Sequence, residues 1–198
     1  MVDYATLAQV RLEGNFWAND TANDTHLSSL ITTVSRMIDA QLGTVFAPDA
    51  DEARTFTVAD LIADKPRDLF LGRHRLLSIT SIVNADGSSI AVGDVMLLPQ
   101  WSERKHTIRL KSTSLFSWVS DEDDEIVITG RWGYSVTVPA DVSQMCAEWV
   151  VHVFNGRGDN GTSGNATIIS PDGVVISPNS APPRVRDFLK HSKYRRRY

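Results

Sequence analysis

A chain of 198 residues with 20 Lys and Arg against 24 Asp and Glu, a net charge of −4, has room for one ordinary domain or a compact core with extensions. No apolar run approaches the roughly 20 residues that span a bilayer, and Met1-Val2-Asp3-Tyr4 lacks the basic and apolar regions of a secretory signal, so residence in a cytoplasm is expected. The single cysteine, Cys146, has no partner for an internal disulfide and reads as a small core residue, not a nucleophile.

Tyr4-Ala5-Thr6-Leu7-Ala8-Gln9-Val10 opens a short helix, expected over 5–13. Leu27, Leu30, Ile31, Val34, Ile38 and Leu42 recur at helical spacing, which predicts a long helix over 24–42. The doubled Asn-Asp-Thr before Leu27 supplies capping side chains, and Gly43 closes the helix. Residues 47–60 mix acids with a proline, so a surface excursion with at most one short strand is expected there. Leu76 to Val83, the turn Asn84-Ala85-Asp86-Gly87 and Ile90 to Leu98 predict a hairpin ended by Pro99. Further strands are expected at His106–Lys111, Leu115–Val119 and Glu125–Thr129, the last broken by an aromatic turn from Gly130 through Trp132 to Tyr134. Pro139 then starts a second long helix, over 139–155, with Val142, Met145, Cys146, Trp149 and Val153 on one apolar face and Gly156 as its stop.

Beyond Gly156 the composition changes. Gly156, Gly158, Gly161 and Gly164 make a flexible loop, and Pro171-Asp172-Gly173 turns a near-symmetric hairpin over 167–177. A lone hairpin is marginal in water, so Ile168, Ile169, Val174, Val175 and Ile176 are expected to be covered by a neighbouring subunit or another surface. Pro182-Pro183 introduces a short helix over 184–191 with Val185, Phe188 and Leu189 on its apolar side. From Arg184 to Tyr198 seven basic residues face Asp187 alone; this +6 segment is joined to a remainder of −10. Such asymmetry reads as an interaction arm, disordered until it docks, or as a solvated terminus.

No catalytic, cofactor or metal constellation emerges. The five histidines are scattered, and HExxH, CxxC, P-loop and GxSxG patterns are missing. Glu148 and His152 are an ordinary pair four apart on a helix. The run Asp121 to Glu125 lacks the glycine and ligand alternation of a calcium loop and reads as a solvated connection.

The block ITGRWGYSVTVPADV, followed by an amphipathic helix, resembles the corresponding part of the head-to-tail adaptor (connector) proteins of tailed bacteriophages. The opening helix and the helix from Asp24 to Leu42 are similar to that family's first two helices. The resemblance implies an α+β fold in which two long amphipathic helices pack together. An antiparallel β-rich insert, 47–134, would complete a core of 1–155, and 156–198 would form an extended arm of hairpin and short helix. It also implies a non-enzymatic virion protein, assembled in the bacterial host cytoplasm, that makes a ring of about a dozen copies beneath the portal. The ring would extend the DNA channel without specific DNA binding and offer its lower face to a stopper or tail-terminator protein. In that family the chain end commonly reaches the portal. Here the docking candidates are Arg184, Arg186, Phe188, Leu189, Lys193, Tyr194, Arg195, Arg196, Arg197 and Tyr198. An acidic body suits a conduit, because it repels phosphate where a basic lumen would bind it by counterion release. Two other classes stay open: a nucleic-acid-binding module that grips phosphate with the basic tail, and a cell-wall hydrolase with paired carboxylates.

Overall fold

The computed structural model describes residues 2–16, 21–57, 60–62, 64–119, 125–156, 168–170, 173–175 and 181–195; for 62, 168–170 and 173–175 it describes backbone only. The fold is mixed α+β, and the chain forms two compact units: Asp3–Thr44 with Val138–Tyr198, and Val45–Thr137 with Met1–Val2. Among the described residues no helix is long and apolar enough to cross a membrane.

The first unit is helical, with α1 (Leu7–Glu13), α2 (Asp24–Leu42), α3 (Ala140–Asn155) and α4 (Pro183–His191). Helix α1 begins two residues later than its pattern suggests, because Thr6 caps it. Gln9 N–H donates to Thr6 Oγ1 at 3.2 Å, and Thr6 N–H donates to Gln9 Oε1 at 2.8 Å. Helix α2 lacks the expected side-chain cap. Asn23 makes no capping hydrogen bond, and Asp24 instead takes a 2.5 Å ion pair from Arg11 at the end of α1. Gly43 ends α2 in the left-handed conformation, at φ 61°.

Helix α2 buries Leu27, Leu30, Ile31, Val34, Ile38 and Leu42, α3 buries Val142, Met145, Cys146, Trp149 and Val150, and the two helices pack together. Where the two meet, Ser35 Oγ donates to Ile31 O at 2.7 Å and accepts the N–H of Tyr4 at 2.9 Å. Its proton is thus engaged, so the Cys146 thiol, 3.6 Å away, is the donor of that pair. Burial pushes the Cys146 thiol up to about 11, which keeps it protonated and unreactive at neutral pH. The short helix expected in an unattached arm is folded onto this unit. Helix α4 packs on α2 and α3, with Val185 and Leu189 buried. The hairpin forms as β9 (Ile168–Ser170) and β10 (Gly173–Val175), in the register Ser170↔Gly173, Ile169↔Val174 and Ile168↔Val175. Gly173 therefore belongs to a strand, not to the turn.

The second unit is β. Strands β1 (Glu52–Phe56), β8 (Ile126–Trp132), β4 (Leu76–Val83) and β5 (Ser89–Ile90) form one antiparallel sheet in that order. Strands β2 (Leu61–Ile62), β3 (Lys65–Phe70), β7 (Thr107–Leu110) and β6 (Val95–Leu98) form another. Leu69, Leu71, Ile108 and Leu110 meet Phe56, Leu76, Ile82, Ile126 and Ile128 in one apolar cluster that both sheets cover.

Three sequence expectations give way here. The strand expected from Ile90 to Leu98 is divided by a 3-10 turn, Val92–Asp94, so β5 pairs with β4 in one sheet and β6 with β7 in the other. Leu115–Val119 is no strand. The buried Asn84 side chain holds it instead, donating to Ser117 O and accepting Val119 N–H, both at 3.0 Å, while Trp118 Nε1 donates to Arg67 O at 3.0 Å. Strand β8 is not broken at Gly130 but runs on to Trp132. A Cβ at Gly130 would lie 2.2 Å from the Ser78 carbonyl oxygen, so glycine is there to admit a neighbouring strand, not to make a turn.

Strand β3, which carries no alternating signal, is organised by an ion pair on its middle. The nearly buried Asp68 carboxylate accepts Nε and Nη2 of Arg109 on β7, both at 2.6 Å. Arg109 holds Asp68 below its ordinary value of 3.8. A depressed carboxylate adds stability above its unfolded pKa and loses it as pH falls through the folded one. Asp68→Asn should therefore lower the urea midpoint at pH 7 and flatten its decline below pH 4. An unchanged acid profile would mean that the pair does not contribute.

Candidate interaction surfaces

The first surface is the outer face of α4 and the turn after it. Pro183 starts the helix at its first position, where a missing N–H costs nothing. With Val185 and Leu189 turned inward, helical spacing leaves Arg184, Arg186, Lys190 and His191 exposed. The chain then folds back. Tyr194 is buried, its hydroxyl 2.9 Å from each carboxylate oxygen of Asp141 at the start of α3, and burial raises its pKa first, with Asp141 adding to it. Lys193 Nζ lies 4.9 Å from the Tyr194 ring centre and 3.9 Å from Asp141, and Arg184 lies 3.3 Å from Glu148. Phe188 is half-buried, its ring centre 6.3 Å from that of Tyr194.

Among the candidates drawn from the sequence, Arg184, Arg186, Lys193 and Arg195 are exposed on α4 and the turn after it, as is Asp187, and Phe188 is half-buried. Leu189 and Tyr194, at 7% and 5% exposure, are committed to the packing of their own unit and are not free anchors. Arg196, Arg197 and Tyr198 lie outside the described residues, as does Ile176; Ile168, Ile169, Val174 and Val175 form the paired strands of the hairpin.

The second surface was not anticipated from the sequence and lies at one end of the β unit. The bridge between Leu76 and Lys105 holds the segment after β3 beside the loop from β6 to β7. There Arg104 sits 4.1 Å and Arg75 5.0 Å from the Tyr134 ring centre, with Phe46 at 5.6 Å. His106 is driven below its usual value by burial first and by Arg75 and Arg104 next, so it is neutral at pH 7. In the same loop Trp101 is 90% exposed. Of Trp101, Tyr134 and the two arginines the sequence singled out Tyr134 alone, as part of an aromatic turn, because the convergence of the others depends on strand pairing. Among the described residues no group of three His, Cys, Asp or Glu is placed to hold a metal ion.

No protein-family model matches this sequence, and no curated protein does. Solved structures do. A chain of the neck of an empty gene transfer agent (GTA) particle, computed with C6 symmetry, superposes with a TM-score of 0.57 at 15% identity, covering 96% of this chain and 89% of that one. This is a fold of GTA neck chains. A chain of the native gene transfer agent virion gives 0.55 at 13% identity, covering 100% and 95%. A chain of the native GTA neck computed with C12 symmetry gives 0.50 at 12%, with the same coverage.

Proposed function

We propose that this protein is a structural, non-enzymatic neck component of a phage-like particle, a ring-forming head-to-tail adaptor that docks beneath the portal and joins the head to the next neck or tail component. The observation that carries this reading is the end-to-end likeness to chains of GTA necks, whose reconstructions have C6 and C12 symmetry. It agrees with the independent resemblance of residues 128–155 to phage adaptors. In this reading the core packs two long helices, and the exposed basic side chains of α4 and the turn after it meet carboxylates on the portal. The net negative chain lines or borders a channel through which DNA passes unbound. The hairpin strands gain cover from a neighbouring subunit.

Truncating the arm is a poor test, because Val185, Leu189 and Tyr194 belong to the helical core. Charge reversal is better. Arg186→Glu with Arg195→Glu alters two exposed side chains and should leave helicity and melting unchanged. Attachment to portal-bearing heads should fall, and adding salt should weaken the parent's binding, since exposed charges are screened within about 8–10 Å. Parental attachment by the doubly reversed protein would remove α4 from the docking surface. Absence of labelled protein from the head-to-tail junction in electron micrographs of particles would remove the adaptor reading itself.

A further inference from the structure

The loop between β6 and β7 is built to hold one large aromatic side chain in solvent. Lys105 Nζ donates to Pro99 O at 3.0 Å, to Gln100 O at 3.2 Å and to Ser102 O, so its three protons are engaged within the loop. Ser102 N–H reaches Pro99 O at 3.4 Å, Arg104 N–H reaches Ser102 Oγ at 3.2 Å, and His106 N–H closes the loop on Leu98 O at 2.8 Å. Trp101 therefore projects from a fixed turn, and ordering it on a partner costs little conformational entropy. Beside it Arg104 and Arg75 are laid on Tyr134. Tryptophan and arginine are the residues most concentrated in interface hot spots.

The opposite end of the same β unit has complementary character. Strand directions place the turn 84–88, the 3-10 turn 92–94 and the loop 111–119 there, since β4 runs from Leu76 beside Lys105 to Val83, and β7 runs from Thr107 to Leu110. Lys111 N–H to Asp94 O, at 2.9 Å, and Val119 N–H to Asn84 Oδ1, at 3.0 Å, tie the loop to both turns. This end exposes Val92 at 41%, Leu115 at 102%, Phe116 at 37% and Val119 at 40%. Asp86, Asp94 and Glu125 are at the same end, where Lys65 is also exposed, while the charges of Lys111 and Arg67 are turned onto backbone carbonyls.

We propose that the Trp101 turn of one copy seats on Val92, Leu115, Phe116 and Val119 of the next copy, with Arg75 and Arg104 facing its Asp86, Asp94 and Glu125. Plug and socket lie at opposite ends of one unit, so the contact is head-to-tail, the kind that closes into a ring when its rotation permits. A second copy fits better than DNA because the protruding group is an apolar indole and the lysine beside it is occupied. The inference rests on the ring reading above and specifies which surfaces make the ring.

The test uses full-length protein and neck-bearing particles. Trp101→Ala should shift the self-association midpoint by about 30-fold or more, the effect of losing a hot-spot side chain. Leu12→Ala, at a residue 81% exposed on α1 and remote from both patches in sequence, should leave it unchanged. In a Cys146→Ala background, a chain carrying Trp101→Cys and Leu115→Cys should oxidise to a ladder ending in closed rings. A mixture of the two single variants should stop at mixed dimers. Intact rings that never cross-link this pair, or parental association by folded Trp101→Ala, would overturn the contact while leaving the adaptor reading standing. Duplex DNA binding lost in Trp101→Ala, with association unchanged, would assign the loop to nucleic acid. Particles whose necks hold this chain but no ring of it would overturn both proposals.

Discussion

Trp149→Ala should lower the stability of the helical unit by about 3–5 kcal/mol, the cost of emptying a site that held a fully buried aromatic. Trp149 is 0% exposed on α3, the helix that packs on α1, α2 and α4. The loss is large against a typical total of 5–15 kcal/mol, so the variant should unfold at much lower urea concentration when followed by helical circular dichroism. Trp149→Phe should cost far less. It keeps most of the volume, and the indole N–H it removes has no hydrogen-bond partner among the described residues. A Trp149→Ala protein as stable as the parent would show that α2 and α3 do not form the core.

Gly130→Ala should have an effect of similar size in the β unit. The added Cβ would stand 2.2 Å from Ser78 O and 3.2 Å from Ile79 Cα. Both are backbone atoms of β4, the central partner of β8, so no side chain can swing aside and the sheet must separate. A cost at or above the upper end of the 1–3 kcal/mol overpacking range, about 3 kcal/mol, is expected. Gly93→Ala is the control. Its Cβ would meet nothing within 4 Å, so it should be neutral or gain up to about 1 kcal/mol by restricting the unfolded chain. Equal melting of the Gly130→Ala and Gly93→Ala proteins would show that the β4–β8 pairing is not as close as described.

The helices and several of the strands were legible in the sequence, because those signals are local. Period 3.6 over Leu27 to Leu42 and over Val142 to Val153, with Gly43 and Gly156 beyond them, records which face one segment must bury whatever it packs against, although Val153 is only half-buried and Val150 is buried in addition. Leu76–Val83 and the Asn84–Gly87 turn were legible for the same reason, and so was the basic excess of the last residues. Features that depend on a partner distant in the chain became visible only in the folded chain. Strand β3 is set by Arg109 on β7, the segment 115–119 by the Asn84 side chain, and the continuity of β8 by the approach of Ser78. The division of 90–98 between two sheets has no local signal either. The same holds for the surfaces. Sequence identified the arginines of α4 but not that Leu189 and Tyr194 are buried beside them, because burial depends on Asp141 and the α2–α3 surface. It left Trp101, Arg75, Arg104 and Tyr134 as separate residues, since only pairing across the β unit brings the arginines and tyrosine together and fixes the tryptophan in solvent beside them.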